Sequence, residues 1–269
     1  MRRSIRMLLR WKLVAAGVVA LGAGVAQASI VGFGGNGTGW TLNHFSGPDL
    51  PTIAADVLTL TNNGLAVFGN GNSGIFDRQQ SVSHFTASFT YQATGGGGLG
   101  LADGAVFVIE NSPAGASAVG DSGGFLGYTG ITPSVAVEFN IYGTSGTAYN
   151  TGGGVGGYVP TAPVDLRSGR PIKVVLTYDG TTLIEKLTDT VTSDTFNRSY
   201  QVDIPTTVGG AAAFVGFTGG TGAGTSIQQI SDFVFSNEAP VPVMSSTMLL
   251  AMMVVLLLCG RTRLKRRHQ

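Results

Sequence analysis

Hydrophobic and polar residues alternate along the middle of this chain with the period of two that a half-buried strand requires. Phe85-Thr86-Ala87-Ser88-Phe89-Thr90-Tyr91 alternates without a break. Residues 105–110, 135–141, 172–178, 181–187, 212–217 and 230–235 are further short runs rich in Val, Ile, Phe and Thr, and they also read as strands. Asp179-Gly180 separates two of them as a hairpin turn would. No stretch of the middle has helical periodicity. Many short strands joined by glycine-rich connections predict an all-β fold, a sandwich or a barrel, with no compositional break to divide it.

Glycine supplies 42 of the 269 residues, more than twice its usual share of about 7%. Much of it is clustered, at 95–98, 152–154 and 219–220. Such clusters read first as flexible loops between strands, and second as places where a backbone can approach a ligand closely.

Both ends depart from this pattern. Arg2, Arg3, Arg6, Arg10 and Lys12 precede an uncharged apolar run of 14 residues, 13–26, and then Ala26-Gln27-Ala28. That order is a secretory signal peptide over 1–28, and the run is too short for a spanning helix. At the other end, 237–243 read as a linker and 244–260 as an uncharged run of 17 residues, long enough for a transmembrane helix. A basic tail, 261–269, follows and marks the cytoplasmic side, so residues 29–236 are expected outside the cytoplasm.

Charge is divided in the same way. The overall +1 conceals a net −9 over residues 29–243, between ends of +5 each. So acidic a domain has no electrostatic reason to bind nucleic acid. The single cysteine, Cys259, lies in the apolar tail segment. The outer domain therefore depends on its core, and neither a cysteine nucleophile nor thiolate-bound zinc is available to it.

Three segments carry a family resemblance: Ala102-Asp103-Gly104 before the run 105–108, then Gly123-Gly124-Phe125-Leu126-Gly127, then Val135-Ala136-Val137-Glu138-Phe139-Asn140. In order and spacing they are similar to the A-D-G, G-G-x-L-G and V-A-V-E-F-D motifs of the legume-type (L-type) lectins. Gly74-Ile75-Phe76, residues 174–182, 214–218 and 230–236 extend the likeness over roughly 30–236. The resemblance implies a concanavalin-like antiparallel β-sandwich (jelly roll) that binds carbohydrate and is not an enzyme. The tail, with Glu238-Ala239-Pro240-Val241-Pro242-Val243 before the apolar run and the arginines, resembles a bacterial PEP-CTERM sorting tail. Its V-P-E-P box is not intact, which leaves open whether the tail is processed or stays as an anchor.

From the resemblance, Asp103 would accept hydrogen bonds from sugar hydroxyls and follow a cis peptide. Gly123 and Gly124 would offer backbone N–H groups, and Asn140 would support them. Asp121 and Ser122 could add contacts, and Phe125, Tyr128 or Tyr142 could stack on a sugar ring or belong to the core. The alternative for Asp103 is a turn residue, and for the glycines an ordinary loop. The family's E-F-D pair binds a transition metal and calcium. Here Glu138 remains, but Asn140 replaces the aspartate, Thr144 stands where the family has asparagine, and 143–164 contain no His, Asp or Glu. A degenerate metal site that has lost its ions is expected, so no cofactor; calcium through Asn140 and backbone carbonyls is the one metal left open. Homo-oligomers are known among such lectins and stay open by analogy.

A glycosidase reading needs paired carboxylates, and Glu110 and Glu138 are isolated. His44 and His84 read as surface or strand-edge residues without ligand spacing, which also excludes a serine triad. Two functions therefore stand: an exported, membrane-anchored carbohydrate-binding protein, or a structural or adhesive surface protein that keeps the fold without sugar or metal.

Overall fold

A computed structural model describes residues 29–63 and 69–237. The expected signal peptide, transmembrane helix and basic tail lie outside the described residues. Among the described residues no helix is long and apolar enough to cross a membrane. The strands are β1 (Ile30–Val31), β2 (Trp40–Ser46), β3 (Thr52–Ala54), β4 (Val57–Thr61), β5 (Asn70–Phe76), β6 (Gln80–Ser81), β7 (Phe85–Gly98), β8 (Gly104–Glu110), β9 (Ser134–Asn140), β10 (Gly146–Thr151), β11 (Ile172–Tyr178), β12 (Thr182–Asp189), β13 (Thr195–Gln201), β14 (Ala212–Thr221) and β15 (Gly224–Ser236). Helix among the described residues is confined to single turns, such as Ile204–Val208 and the 3₁₀ turn Gly123–Phe125.

The strands form two antiparallel sheets. The back sheet runs β13-β12-β11-β7-β15-β4-β3, with β1 beside β15. The front sheet runs β10-β9-β8-β14-β5-β2, with β6 beside β14. All seven strands expected from alternation are present. The sandwich and its antiparallel pairing match the expected architecture.

Alternation decides what each sheet buries. Phe89, Phe107, Phe139, Phe217 and Phe233 point between the sheets and pack with Phe33 and Trp40. Such rings supply a large share of the apolar area that holds a cysteine-free domain together. Strands β8 and β9 are buried on both faces, which explains their nearly continuous apolar sequence. Their outer face, with Val106, Val108 and Ala136, is covered by Ala118, Leu126, Tyr128 and Ile131 from the connection between them. That second, smaller core fixes the Gly123–Phe125 turn above the front sheet.

Two features depart from the sequence reading. β5 begins Asn70-Gly71-Asn72-Ser73, which shows no strand alternation of apolar residues, yet it is fully buried. Its polar groups are satisfied in place: Asn70 donates to Asp49 and Thr221, Asn72 to the Leu60 carbonyl, and Ser73 to the Ala118 carbonyl. The second departure concerns the glycine clusters. Gly95–Gly98 complete β7, and Gly219 and Gly220 lie within β14. A Cβ on Gly219 would stand 3.0 Å from Leu60 Cβ of the facing sheet, so close approach of the sheets requires glycine there.

Candidate functional site

Asp103 stands immediately before β8, after a cis peptide bond from Ala102, as the resemblance implied. Its backbone is held on both sides. Its N–H donates to the Gly220 carbonyl at 3.0 Å, at the end of β14, and its carbonyl accepts the Ile141 N–H at 2.9 Å, just past β9. The residue is only 6% exposed, and its Oδ2 is buried with no hydrogen-bond partner. Burial pushes the carboxyl up to about 6, because the charged form has lost water without gaining a donor.

Two glycines frame that oxygen. A Cβ on Gly222, in the β14–β15 connection, would stand 3.2 Å from Asp103 Oδ2 and 3.6 Å from Gly123 Cα. A Cβ on Gly123 would stand 3.8 Å from the same oxygen. Gly124 borders open space. The 3₁₀ turn is closed by Phe125 N–H to Ser122 O and Leu126 N–H to Gly123 O, while the Gly123 and Gly124 N–H groups donate to no group among the described residues. A buried acceptor thus lies beside a turn whose Gly123 and Gly124 N–H groups have no partner among the described residues. This arrangement suits a neutral ligand bearing several hydroxyls, each able to donate and accept.

The structure brings Asp103, Gly123 and Gly124 together and separates the remaining candidates by role. Asp121 turns its Oδ1 back to the Ser122 N–H at 2.7 Å, so it shapes the loop. Phe125 and Tyr142 are exposed at 47% and 45%, available to stack on a ring. Tyr128 is not: it is fully buried, its hydroxyl 2.7 Å from Ser134 Oγ, because the connection folds onto the front sheet. His44 lies on the edge strand β2 against Asn72 Oδ1, and His84 is exposed. Gly220 and Gly222 were missed as site residues. Their signal was the glycine cluster near 219–220, which read as an ordinary loop.

Asn140 is buried at the end of β9, opposite Gly104. Its Nδ2 donates to the carbonyls of Tyr142 at 2.6 Å and Thr144 at 2.7 Å. Glu138 points outward from the same strand, and its carboxylate accepts from Asn150 Nδ2 at 2.9 Å and the Gly156 N–H at 3.2 Å. Burial pushes its carboxyl up, with the Gly156, Asn150 and Tyr158 hydrogen bonds opposing. These residues do not fit a divalent cation. The carbonyls such an ion would use already face amide hydrogens, both Glu138 oxygens are occupied by donors, and among the described residues no three His, Cys, Asp or Glu gather.

Glu110 and Glu138 do not form a hydrolytic pair either. Glu110 lies opposite Ser134 and Glu138 opposite Val106, four register steps apart on one face. That spacing is about 13 Å, against roughly 5–5.5 Å for a retaining carboxylate pair and at most about 9.5 Å for an inverting one.

A family profile, the Legume lectin domain, matches residues 52–250. Among solved structures the chain is similar to the basic winged bean lectin with Tn-antigen, at 22% identity over 80% of this chain and 100% of that one, with a TM-score of 0.64. It is similar to the lectin from Bauhinia forficata in complex with GalNAc, at 19% identity, 78% and 98% coverage and a TM-score of 0.65. It is also similar to arcelin-5, a lectin-like defense protein from Phaseolus vulgaris, at 20% identity, 79% and 99% coverage and a TM-score of 0.64. At these identities the structural likeness speaks for the fold.

Proposed function

This chain belongs to the Legume lectin domain family, and from that premise we propose that it is an exported, membrane-anchored protein that binds carbohydrate and catalyses no reaction. One observation carries the reading: the buried, partnerless Oδ2 of Asp103, beside Gly222 and the Gly123–Phe125 turn. A buried acceptor without a donor costs folding free energy of roughly 1–3 kcal/mol, and a sugar hydroxyl supplies the missing donor. The lectins from winged bean and Bauhinia forficata, with their Tn-antigen and GalNAc, support carbohydrate as the ligand class.

Topology supports the anchored reading. β15 begins at Gly224, beside Gly222 and the ligand edge, and ends at Ser236, next to the last described residue. Its 12 residue steps span roughly 40 Å. An anchor at 244–260 would therefore attach at the pole opposite Asp103 and present the sugar edge away from the membrane. The signal-like 1–28 and the PEP-CTERM-like tail support a bacterial surface as its place. The −9 charge of 29–243 argues against nucleic acid as a partner.

A second reading, a structural or adhesive surface protein without sugar binding, draws on the carboxylate missing at Asn140 and the amide missing at Thr144. A glycan array probed with the purified protein in calcium and manganese, and again in EDTA, separates the two. Equal retention in both buffers is the expected result. Retention abolished by EDTA would mean that a metal supports the site. No retention in either buffer favours the second reading.

Gly222 gives a sharper prediction. Its φ lies outside the left-handed region, so Gly222→Ala leaves the backbone unstrained while its methyl stands before Asp103 Oδ2. The thermal midpoint should hardly move. Retention on whichever glycan the array identifies should fall about tenfold or more, the equivalent of one hydrogen bond displaced. Unchanged affinity would show that the ligand does not approach between Gly222 and Gly123.

A further inference from the structure

We propose that the Asn140 amide is a built-in brace that does, without an ion, what a cation would do for the 141–145 loop. The two hydrogens of one amide nitrogen reach two carbonyls, Tyr142 O at 2.6 Å and Thr144 O at 2.7 Å. Those oxygens therefore converge on one point, the arrangement a hard cation also requires. The amide fills that point with donors. It is buried, so water competes poorly for the two carbonyls.

The brace acts on the ligand edge through the backbone. Asn140 lies opposite Gly104 on β8 and opposite Gly146 on β10, so it sits where the loop leaves and re-enters the sheet. The next residue, Ile141, donates its N–H to the Asp103 carbonyl. Tyr142, whose ring is exposed, hangs from the first braced carbonyl. Asn140 is thus a positioning residue: it touches no ligand, but it sets the path of the strand end that clamps Asp103. Glu138, two residues earlier on the same face, is held by Asn150 and Gly156 and takes no part. The link to sugar affinity rests on the carbohydrate-binding reading; the link to loop order does not.

The test compares full-length wild type, Asn140→Ala and Asn140→Asp, each in EDTA and in millimolar calcium. It reads amide hydrogen exchange over 141–146 and the thermal midpoint. Wild type should show the same loop protection and the same midpoint in both buffers. Asn140→Ala should exchange roughly tenfold faster in the loop in both, since both hydrogen bonds from the buried amide are lost. Asn140→Asp sets a carboxylate against two carbonyl oxygens: protection should be lost in EDTA and restored by calcium, a dependence that simple damage to the fold would not produce. Wild type protected or stabilised by calcium overturns the proposal, as does Asn140→Ala with unchanged exchange, or Asn140→Asp matching wild type in EDTA. A wild type that retains no glycan while these exchange results hold defeats the carbohydrate reading and leaves the brace standing.

Discussion

Asp103→Ala should abolish most carbohydrate retention while leaving the sandwich folded. A carboxylate accepting from sugar hydroxyls makes charge-assisted hydrogen bonds, and removing them costs about 1.5–3 kcal/mol, or roughly 10- to 100-fold in affinity. The fold should survive because Oδ2 has no protein partner to lose, and the clamps at Gly220 and Ile141 are made by backbone atoms. The same carboxyl gives a pH signature. Its folded-state value, raised to about 6, lies above the ordinary 3.8, so the folded protein prefers the neutral acid. Ionisation therefore costs stability progressively as pH rises from about 4 to 6, and fully above that. Asn at this position should raise the thermal midpoint at pH 7 and give no gain at pH 4. Retention by the natural protein should weaken as pH falls below about 6. Titrating glycan affinity and melting temperature across pH 4–8 checks both, and an affinity independent of Asp103 would return the residue to a mere turn.

Phe217→Ala should be the most damaging single truncation in the core, at about 3–5 kcal/mol. Its ring is fully buried on β14, with centroids of Phe89 at 4.9 Å, Phe233 at 5.0 Å, Phe107 at 5.6 Å and Phe33 at 6.0 Å. These neighbours come from both sheets, so the cavity cannot collapse without moving one sheet relative to the other. For a domain of about 200 residues that loss lowers the melting midpoint by roughly 6–20 °C. Phe125→Ala offers the contrast: the side chain is 47% exposed, and its removal should cost little stability. Denaturant unfolding of the two variants side by side gives the comparison. Equal, small losses would mean that the inter-sheet aromatic cluster does not carry the fold.

Sequence alone determined the secondary structure where one face of a strand is apolar and the other polar. Alternation over 85–91, 172–178 and 181–187 gave β7, β11 and β12, because the period of two is the strand's own geometry. The motifs at Asp103, Gly123 and Glu138 gave the family, and the profile match bears that out. The first half of β5 escaped the pattern, because Asn70, Asn72 and Ser73 are buried by virtue of partners 12 to 151 residues away, which no local window contains. Gly222 escaped for the same reason: its value lies in standing beside an aspartate 119 positions earlier. Asn140 was legible as a lost carboxylate, but a side-chain identity cannot tell whether its hydrogens find two carbonyls. Local sequence sets the conformations a segment can adopt. Which polar atoms end buried, and which of them lack a partner, is decided only when distant strands close on one another.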